Sequence, residues 1–383
     1  MTTFSFYIYI FIYLFSHTHF SFPFNHKKMT ISLPILDLSK YQLDQPDSAS
    51  SKEFLKELYD AMSEVGFFYI CNHGVPLELQ QKSFDSIKSF FKLPIEQKLE
   101  IELKKSPHFR GYSKLNSETT DYKQDNREQI DLGRDQPTVP IENNPTYAHL
   151  RGPNQWPRQI PGFKETITEL MDSMAEIGLI ILNAMARVLE FNQEEFMSLF
   201  GKDYGVRCKL IRYPALNNPI DKPLDHGLGV GPHKDTGFLA LLLQDEIGGL
   251  QVQAQNGQWL DAEPIPDTFI VNIGEILERL TRQTFVATTH RVINKSLENY
   301  ADRFSIPLFL SPSLETKIPQ IDLNTATKRK IVSDVKQDQL LQDEIYGVNE
   351  LGGFIRSHKE TADTWYYLNQ EQNQWQRKPL ITP

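Results

Sequence analysis

Three residues in the second half of the chain have the types and the spacing of a metal site. His233 and Asp235 are separated by a single residue, and His290 follows much later in the chain. Alternate residues of a β-strand point to the same side, so His233 and Asp235 can reach one ion. Two histidines and one carboxylate form the facial ligand set of non-haem Fe(II) oxygenases, which leaves the opposite face of the metal open. The spacing therefore predicts an iron site.

A carboxylate-binding pair follows the metal residues. Arg303 and Ser305 flank a phenylalanine, and the same alternation places both side chains on one face of a strand. The guanidinium group can grip a carboxylate with two parallel hydrogen bonds, and the hydroxyl group adds a donor. An open metal face beside such a clamp indicates an oxygenase that uses an oxo-acid.

Short apolar runs are expected to position these polar groups at the ends of strands. The sequence predicts strands over residues 206–213, 238–243, 250–253, 259–260 and 269–272, with a tight hairpin at Asn256-Gly257. Several short strands separated by turn signals favour an antiparallel jelly roll or barrel.

Periodic apolar residues predict helices before and between these strands. They cover residues 50–65, 77–91, 94–101 and 163–191, and a buried strand is expected over 67–71. Residues 108–162 are rich in Pro, Asn, Asp and Gly, which predicts long irregular loops. The fold class is therefore α+β, mainly β in its core with helical flanks.

Composition excludes some classes of function. The 383 residues carry a net charge of −9 and the pI is about 5.6, whereas nucleic-acid binding requires a basic face. Cys71 and Cys208 lie in strand-like runs, which predicts reduced core thiols and a cytoplasmic location. His73 is expected near a helix start as a turn or capping residue.

Other histidines and glycines are weaker site candidates. The glycine-rich run 227–231 is followed by Pro232, so it lacks the helix that a dinucleotide-binding loop requires. His226, on this run, is a rival metal ligand without an acid on the same face. His108, His149 and His358 have no ligand spacing and are predicted to be surface residues.

The N-terminus begins with an apolar, aromatic run over residues 4–15. A membrane span needs about 20 apolar residues, so membrane association is not expected. The basic pair Lys27-Lys28 follows the run, whereas a secretory signal has its positive charge first. We interpret residues 1–28 as an upstream extension with Met29 as the native start; a targeting segment is the alternative.

Ordered motifs along the chain resemble those of a known family. They are LPILDL at 33–38, GFFYICNHGV at 66–75, LIRYP at 210–214, GGLQV at 248–252 and VNIGE at 271–275, together with the metal and clamp motifs. From about Leu33 to Tyr367 the chain resembles the iron(II)- and 2-oxoglutarate-dependent dioxygenase superfamily, in its isopenicillin N synthase-like branch.

The resemblance implies a fold, a site and a reaction. The core would be a double-stranded β-helix, with His233, Asp235 and His290 as ligands of Fe(II). Arg303 and Ser305, assisted by Tyr213, would bind the distal carboxylate of 2-oxoglutarate. With O2 as co-substrate, 2-oxoglutarate would give succinate and CO2 while a small organic substrate is oxidised, most simply by hydroxylation.

One departure from the family pattern keeps alternatives open. Plant members usually have Asn where this chain has Ile211, and isopenicillin N synthase uses its Arg-x-Ser pair to hold the carboxylate of its own substrate. An Fe(II) oxidase or cyclase without 2-oxoglutarate is therefore one alternative. A catalytically silent scaffold that binds a small carboxylate is another. The sequence does not select the substrate or the oligomeric state.

The resemblance implies a loop that reaches the pocket at Tyr112, strand alternation places Phe309 on the face of Arg303 and Ser305, and Phe354 lies in a Gly-rich stretch that could form a lid. Tyr112, Phe309 and Phe354 are the candidate substrate contacts, and Gly237 would leave room beside the metal. We divide the chain into an N-terminal extension, a helical region with the first strands and loops, the jelly-roll core and a helical C-terminal extension. Their bounds are 1–28, 29–200, 201–315 and 316–383.

Overall fold

The computed structural model describes residues 32–120, 123–215, 228–295, 301–318 and 343–379. The proposed start at Met29 and the rival ligand His226 lie outside these residues.

Two sheets form the centre of the described structure. Their strands, with two short ribbons, are Ile35–Asp37 (β1), Phe67–Cys71 (β2), Gly111–Ser113 (β3), Thr119–Thr120 (β4), Lys123–Gln124 (β5), Glu128–Gly133 (β6), Gly205–Tyr213 (β7), Leu228–His233 (β8), Leu239–Gln244 (β9), Leu250–Gln253 (β10), Trp259–Asp261 (β11), Phe269–Ile273 (β12), His290–Ile293 (β13), Arg303–Ser311 (β14), Tyr366–Asn369 (β15) and Gln374–Arg377 (β16). The larger sheet has the order β1-β2-β12-β9-β14-β7-β6-β3, and the smaller has the order β11-β10-β13-β8. Apart from the parallel pair β1 and β2, neighbouring strands are antiparallel.

One apolar cluster joins the two sheets. Ile211 and Ile270 from the larger sheet pack in it with Val230, Val252 and Val292 from the smaller sheet. β-branched side chains fit a pleated, buried surface well. The mixed α+β architecture and the jelly-roll core therefore agree with the prediction.

Helices flank the larger sheet and follow the last core strand. They are Ala49–Glu64 (α1), Leu77–Phe91 (α2), Ile95–Lys98 (α3), Phe163–Val188 (α4), Gln193–Ser198 (α5), Glu275–Leu280 (α6), Tyr346–Ser357 (α7) and Lys359–Trp365 (α8), with 3-10 turns at Leu38–Lys40, Leu99–Ile101, Leu103–Lys105 and Thr146–Leu150. α4 approaches β9 and β14 closely at Gly178, where an added Cβ would lie 2.0 Å from a methyl carbon of Leu310. A helix can reach a sheet this closely only where it has no side chain.

The predicted elements are confirmed where the pattern is periodic. The strand over 67–71, the helix over 77–91 and the hairpin at Gly257 are all present, and Gly257 has φ of 83°. The prediction of irregular loops over 108–162 is wrong for the first half of this range, which contributes β3 to β6, and holds for 134–162 apart from the 3-10 turn at Thr146–Leu150. β6 has the polar sequence EQIDLG and is nevertheless buried throughout, since its charged side chains have partners inside the protein. The polar composition of β6 is the reason that this strand was not predicted.

Candidate active site

His233 and His290 occupy opposed positions on neighbouring strands. His233 ends β8, His290 begins β13, and the antiparallel register pairs the two residues. Opposed residues of antiparallel strands project to the same face. Their ring centroids lie 4.3 Å apart, so both imidazoles enter one space.

Hydrogen bonds fix the orientation of both imidazole rings. Nδ1 of His233 lies 2.9 Å from the carbonyl oxygen of Gly231, and Nδ1 of His290 lies 3.1 Å from that of Thr288. Because a carbonyl oxygen only accepts, each Nδ1 carries the proton and each Nε2 has a free lone pair. Burial, with the neighbouring His290, lowers the pKa of His233 to about 4. The neutral ring is the form that binds metals.

Asp235 completes this group from just beyond the end of β8, whereas the sequence placed it within the strand. Its Oδ1 lies 3.9 Å from Nε2 of His233 and 3.8 Å from Nε2 of His290. Its Oδ2 accepts a hydrogen bond of 2.7 Å from Nδ2 of Asn272 on β12. The ligand atoms of the three predicted metal residues all lie within 4.8 Å of one another. Two imidazole nitrogens and one carboxylate oxygen suit a divalent transition metal such as Fe(II).

The residues predicted to form the carboxylate clamp lie together on β14 and β7. Arg303 is 1% exposed, and its Nε donates to the carbonyl oxygen of Gly248. The Tyr213 ring, opposite Arg303 in the strand register, lies 4.7 Å from the guanidinium carbon. One terminal nitrogen of Arg303 lies 3.4 Å from Oγ of Ser305. An aromatic ring and a carbonyl group therefore hold the guanidinium in one orientation.

The triad and the clamp line a single cavity of about 590 Å³. Alternate residues of β14 form one wall, namely Arg303, Ser305, Pro307, Phe309 and Ser311. Phe309 thus lies on the face of the clamp, as strand alternation predicts. Gly237 also lines the cavity, and a Cβ built there meets no atom within 4 Å.

The other two candidate substrate contacts do not reach this cavity. Among the described residues that line it, neither Tyr112 nor Phe354 is present. The Tyr112 hydroxyl group donates to Glu128 at 2.5 Å, and the Phe354 ring lies 4.2 Å from the guanidinium carbon of Arg207. Both aromatic side chains are buried outside this lining, where Tyr112 packs on Phe90 and Phe354 packs on Phe109.

Charged side chains that the sequence analysis did not select also line the cavity. They are Glu118, Arg127, Arg207 and Lys209, with Glu350 and Arg356 from α7. The signal was present in β7, where Arg207 and Lys209 alternate with buried Cys208 and Leu210 in the same phase as Tyr213.

Three histidines predicted at the surface are buried instead. His108, His149 and His358 are 4%, 2% and 6% exposed. Nδ1 of His108 lies 2.7 Å from the carbonyl oxygen of His149, and Nδ1 of His358 lies 3.3 Å from Glu118. Internal partners of this kind cannot be read from local sequence. The turn role of His73 is confirmed, because its Nδ1 accepts from the backbone N–H of Val75 just before α2.

Comparison with known proteins agrees with this geometry. Residues 33–159 match the family model "non-haem dioxygenase in morphine synthesis N-terminal", and residues 206–312 match the model "2OG-Fe(II) oxygenase superfamily". The chain is 35% identical over 346 residues to the 2-oxoglutarate-dependent dioxygenase frbJ of Dothideomycetidae sp., covering 87% of this chain and 92% of that relative. The chain belongs to the 2OG-Fe(II) oxygenase superfamily.

Solved structures share the fold of this oxygenase. A putative 2OG-Fe(II) oxygenase family protein from Caulobacter crescentus is 27% identical, with a TM-score of 0.66 over 85% of this chain and 99% of that one. A full-length Neurospora crassa protein, solved in complex with alpha-KG and thymine, is 30% identical, with a TM-score of 0.64 over 77% of this chain and 90% of that one. One structural relative of this oxygenase therefore binds the oxo-acid together with a small molecule.

The relatives and structural neighbours, together with the family model, decide between the functions that the sequence left open. The protein is an Fe(II)- and 2-oxoglutarate-dependent dioxygenase, rather than an oxidase that works without the oxo-acid or a silent scaffold. Within the described ranges, none of its helices combines the length and hydrophobicity needed to traverse a bilayer. The domain bounds stay a prediction.

Proposed function

We propose that His233, Asp235 and His290 hold Fe(II) in this oxygenase and that Arg303, Ser305 and Tyr213 hold the distal carboxylate of 2-oxoglutarate. The convergence of two Nε2 atoms and one carboxylate oxygen in the cavity of the clamp carries this proposal. A free lone pair on each Nε2 and a pre-oriented guanidinium support it.

Fe(II) and 2-oxoglutarate, when bound, supply oxygen activation with conversion of the oxo-acid to succinate and CO2. The side chains and backbone of the protein orient the groups that would bind the metal. The carbonyl groups of Gly231 and Thr288 keep both imidazoles in the ligating tautomer. Asn272 occupies one oxygen of Asp235 and leaves the other for the metal. The apolar residues Ile211, Val230 and Val292 line the same cavity and exclude water.

We propose hydroxylation of a small organic molecule as the net reaction. The space beside Gly237 and the ring of Phe309 would receive the carbon that is oxidised. Of the three substrate contacts expected from the sequence, Phe309 is the one that this proposal retains.

Anaerobic titration with Fe(II) and then 2-oxoglutarate tests these assignments. We expect one equivalent of iron and a weak visible charge-transfer band on addition of the oxo-acid. Asp235→Ala should bind no iron, whereas Glu315→Gln, in an exposed ion pair with Arg151, should behave as the parent enzyme. Full iron binding by Asp235→Ala would refute the triad.

We also propose that the enzyme works in a reducing compartment such as the cytoplasm. Cys71 and Cys208 are both free thiols, and burial raises the pKa of Cys208, which keeps this thiol unreactive. Cell fractionation would test the location, and enzyme found in an oxidising compartment would contradict it.

A further inference from the structure

One wall of the cavity carries charged side chains of both signs, of which three are buried and two, Arg127 and Arg207, are partly buried. We define the polar wall as Glu118, Arg127, Asp131, Arg207 and Lys209. Asp131 and Lys209 are 0% and 7% exposed, and Glu118 is 4% exposed. All except Asp131 line the cavity directly.

The polar wall is connected by shared ion pairs. Nζ of Lys209 lies 3.0 Å from Glu118 and 3.4 Å from Asp131. Arg127 lies 3.2 Å from Glu118, and Arg207 lies 3.2 Å from Asp131. Asp125 balances Arg127 at 2.8 Å. The wall and Asp125 thus contain three cations and three carboxylates, so that their formal charges cancel.

Stability does not account for this arrangement. Buried ion pairs generally stabilise a fold no better than apolar residues of the same volume, because desolvation offsets their attraction. Other parts of the same cavity are lined by the apolar residues Ala240, Leu242 and Pro307, so a charged lining is not needed to close this cavity. Charged groups kept at a cavity surface indicate recognition of a charged ligand.

The polar wall is separate from the carboxylate clamp. Lys209 and Arg207 precede Tyr213 on β7 by four and six residues, which corresponds to about 13 and 20 Å along a strand. Arg207 pairs in register with Phe309, beyond Ser305 on β14. 2-Oxoglutarate held by Arg303 therefore leaves the polar wall for a second molecule.

We propose that the polar wall binds a small zwitterionic substrate of the amino-acid class, with its carboxylate towards Arg207 and Lys209 and its ammonium group towards Glu118. This inference rests on the proposed function and adds the substrate class. A ligand with one charge of each sign leaves the balance of the wall unchanged, whereas a singly charged ligand leaves one charge uncompensated in a buried site. Neutral polar ligands form weaker hydrogen bonds with ionised groups than charged ligands do.

The test measures succinate formation by the full-length enzyme with Fe(II) and 2-oxoglutarate. The probes are the proteinogenic L-amino acids, the N-acetyl and carboxamide derivatives of those that stimulate turnover, thymine as a neutral heterocycle and phenylacetate as a single anion. We expect stimulation by at least one amino acid, with KM about tenfold or more higher for either derivative. Equal stimulation by the derivatives, or none by any amino acid, would overturn the inference.

Variants locate the effect on the polar wall. Glu118→Gln keeps the shape of the side chain, and we expect it to raise KM for the amino acid about tenfold or more while discriminating less against the N-acetyl derivative. Glu315→Gln removes the same charge from the exposed pair with Arg151 and should leave KM unchanged. Unchanged KM in Glu118→Gln would also overturn the inference.

The Fe(II)–2-oxoglutarate band separates this inference from the proposed function. A band in the parent enzyme without stimulation by any amino acid rejects the substrate class and keeps the cofactor site. Absence of the band rejects the cofactor site itself. The derivatives act on the unmodified enzyme, so this comparison holds even if Glu118→Gln does not fold.

Discussion

The two oxygens of Asp235 have different neighbours. Oδ1 faces both histidine Nε2 atoms, and Oδ2 is bound by Nδ2 of Asn272, which is 5% exposed. A carboxylate without this amide donor can rotate and present either oxygen. We expect Asn272→Ala to weaken Fe(II) binding about 10- to 100-fold, as measured by anaerobic titration with iron.

The matched control for this variant is Asn183→Ala. Asn183 lies on α4 and accepts a hydrogen bond from Tyr41, so the change removes the same amide away from the cavity. We expect normal iron affinity. Equal affinity in Asn272→Ala and Asn183→Ala would show that the amide does not position Asp235.

At Arg303 we expect the planar shape of the guanidinium group, more than its charge, to determine how well the carboxylate of 2-oxoglutarate binds. Its guanidinium is held between Gly248 and the Tyr213 ring, and a lysine ammonium provides neither the planar fork nor the stacking. We expect Arg303→Lys to raise the 2-oxoglutarate concentration for half-maximal turnover about tenfold or more, with iron stoichiometry unchanged. An unchanged requirement would argue that another group holds the oxo-acid.

Individual site residues could be predicted from the sequence where their function requires a fixed spacing along a strand. His233, Asp235, Arg303 and Ser305 could be selected because alternate strand residues share a face. The residues of the polar wall could not be predicted as one group from the sequence, because they come from β6, β7 and the segments that flank β4 and β5. Only the strand pairing of β6 with β7 brings Asp131 opposite Lys209.

At the scale of elements, the fit of α4 against the larger sheet depends on one glycine. A Cβ at Gly178 would lie 2.0 Å from Leu310 and 3.1 Å from Leu241. We expect Gly178→Ala to lower the free energy of unfolding by about 1–3 kcal/mol, because a packed core resists added volume. Urea denaturation followed by circular dichroism measures this change.

Gly353 on α7 is the matched control for Gly178. It is also helical, but a Cβ built there meets nothing within 4 Å. Gly353→Ala should raise the free energy of unfolding by about 0.5–1 kcal/mol, because alanine loses less backbone entropy in a helix. Equal effects of the two substitutions would mean that helix propensity, rather than close packing, decides both.

Elements with apolar periodicity could be predicted and elements held by ion pairs could not. α2 matches the predicted range because Leu79, Ile87 and Phe91 lie at helical spacing and are buried. β6 escaped detection because Glu128 and Asp131 are polar in sequence, yet both are paired and buried. Pairing between distant segments overrides local composition.

The whole molecule combines an apolar core with buried polar groups that keep a defined protonation state. The cavity is lined by residues of both sheets and of α7, and its lining includes both apolar and charged side chains. Buried histidines belong to the same pattern. A neutral buried histidine resists protonation, and this resistance makes the stability of the entire fold depend on pH.

His108 should make the unfolding free energy fall in acid. Burial lowers its pKa to about 4 from an ordinary value of 6.5, and the nearby Arg110 and Arg377 act in the same direction. Between these values the unfolded chain binds the proton and the folded protein does not, so stability is lost as pH falls from about 6.5 towards 4. The loss from this residue is on the order of 3 kcal/mol. Urea denaturation at pH 7 and pH 4 should show a smaller difference in His108→Asn, which cannot titrate. The same pH difference in both proteins would assign the acid sensitivity to other groups.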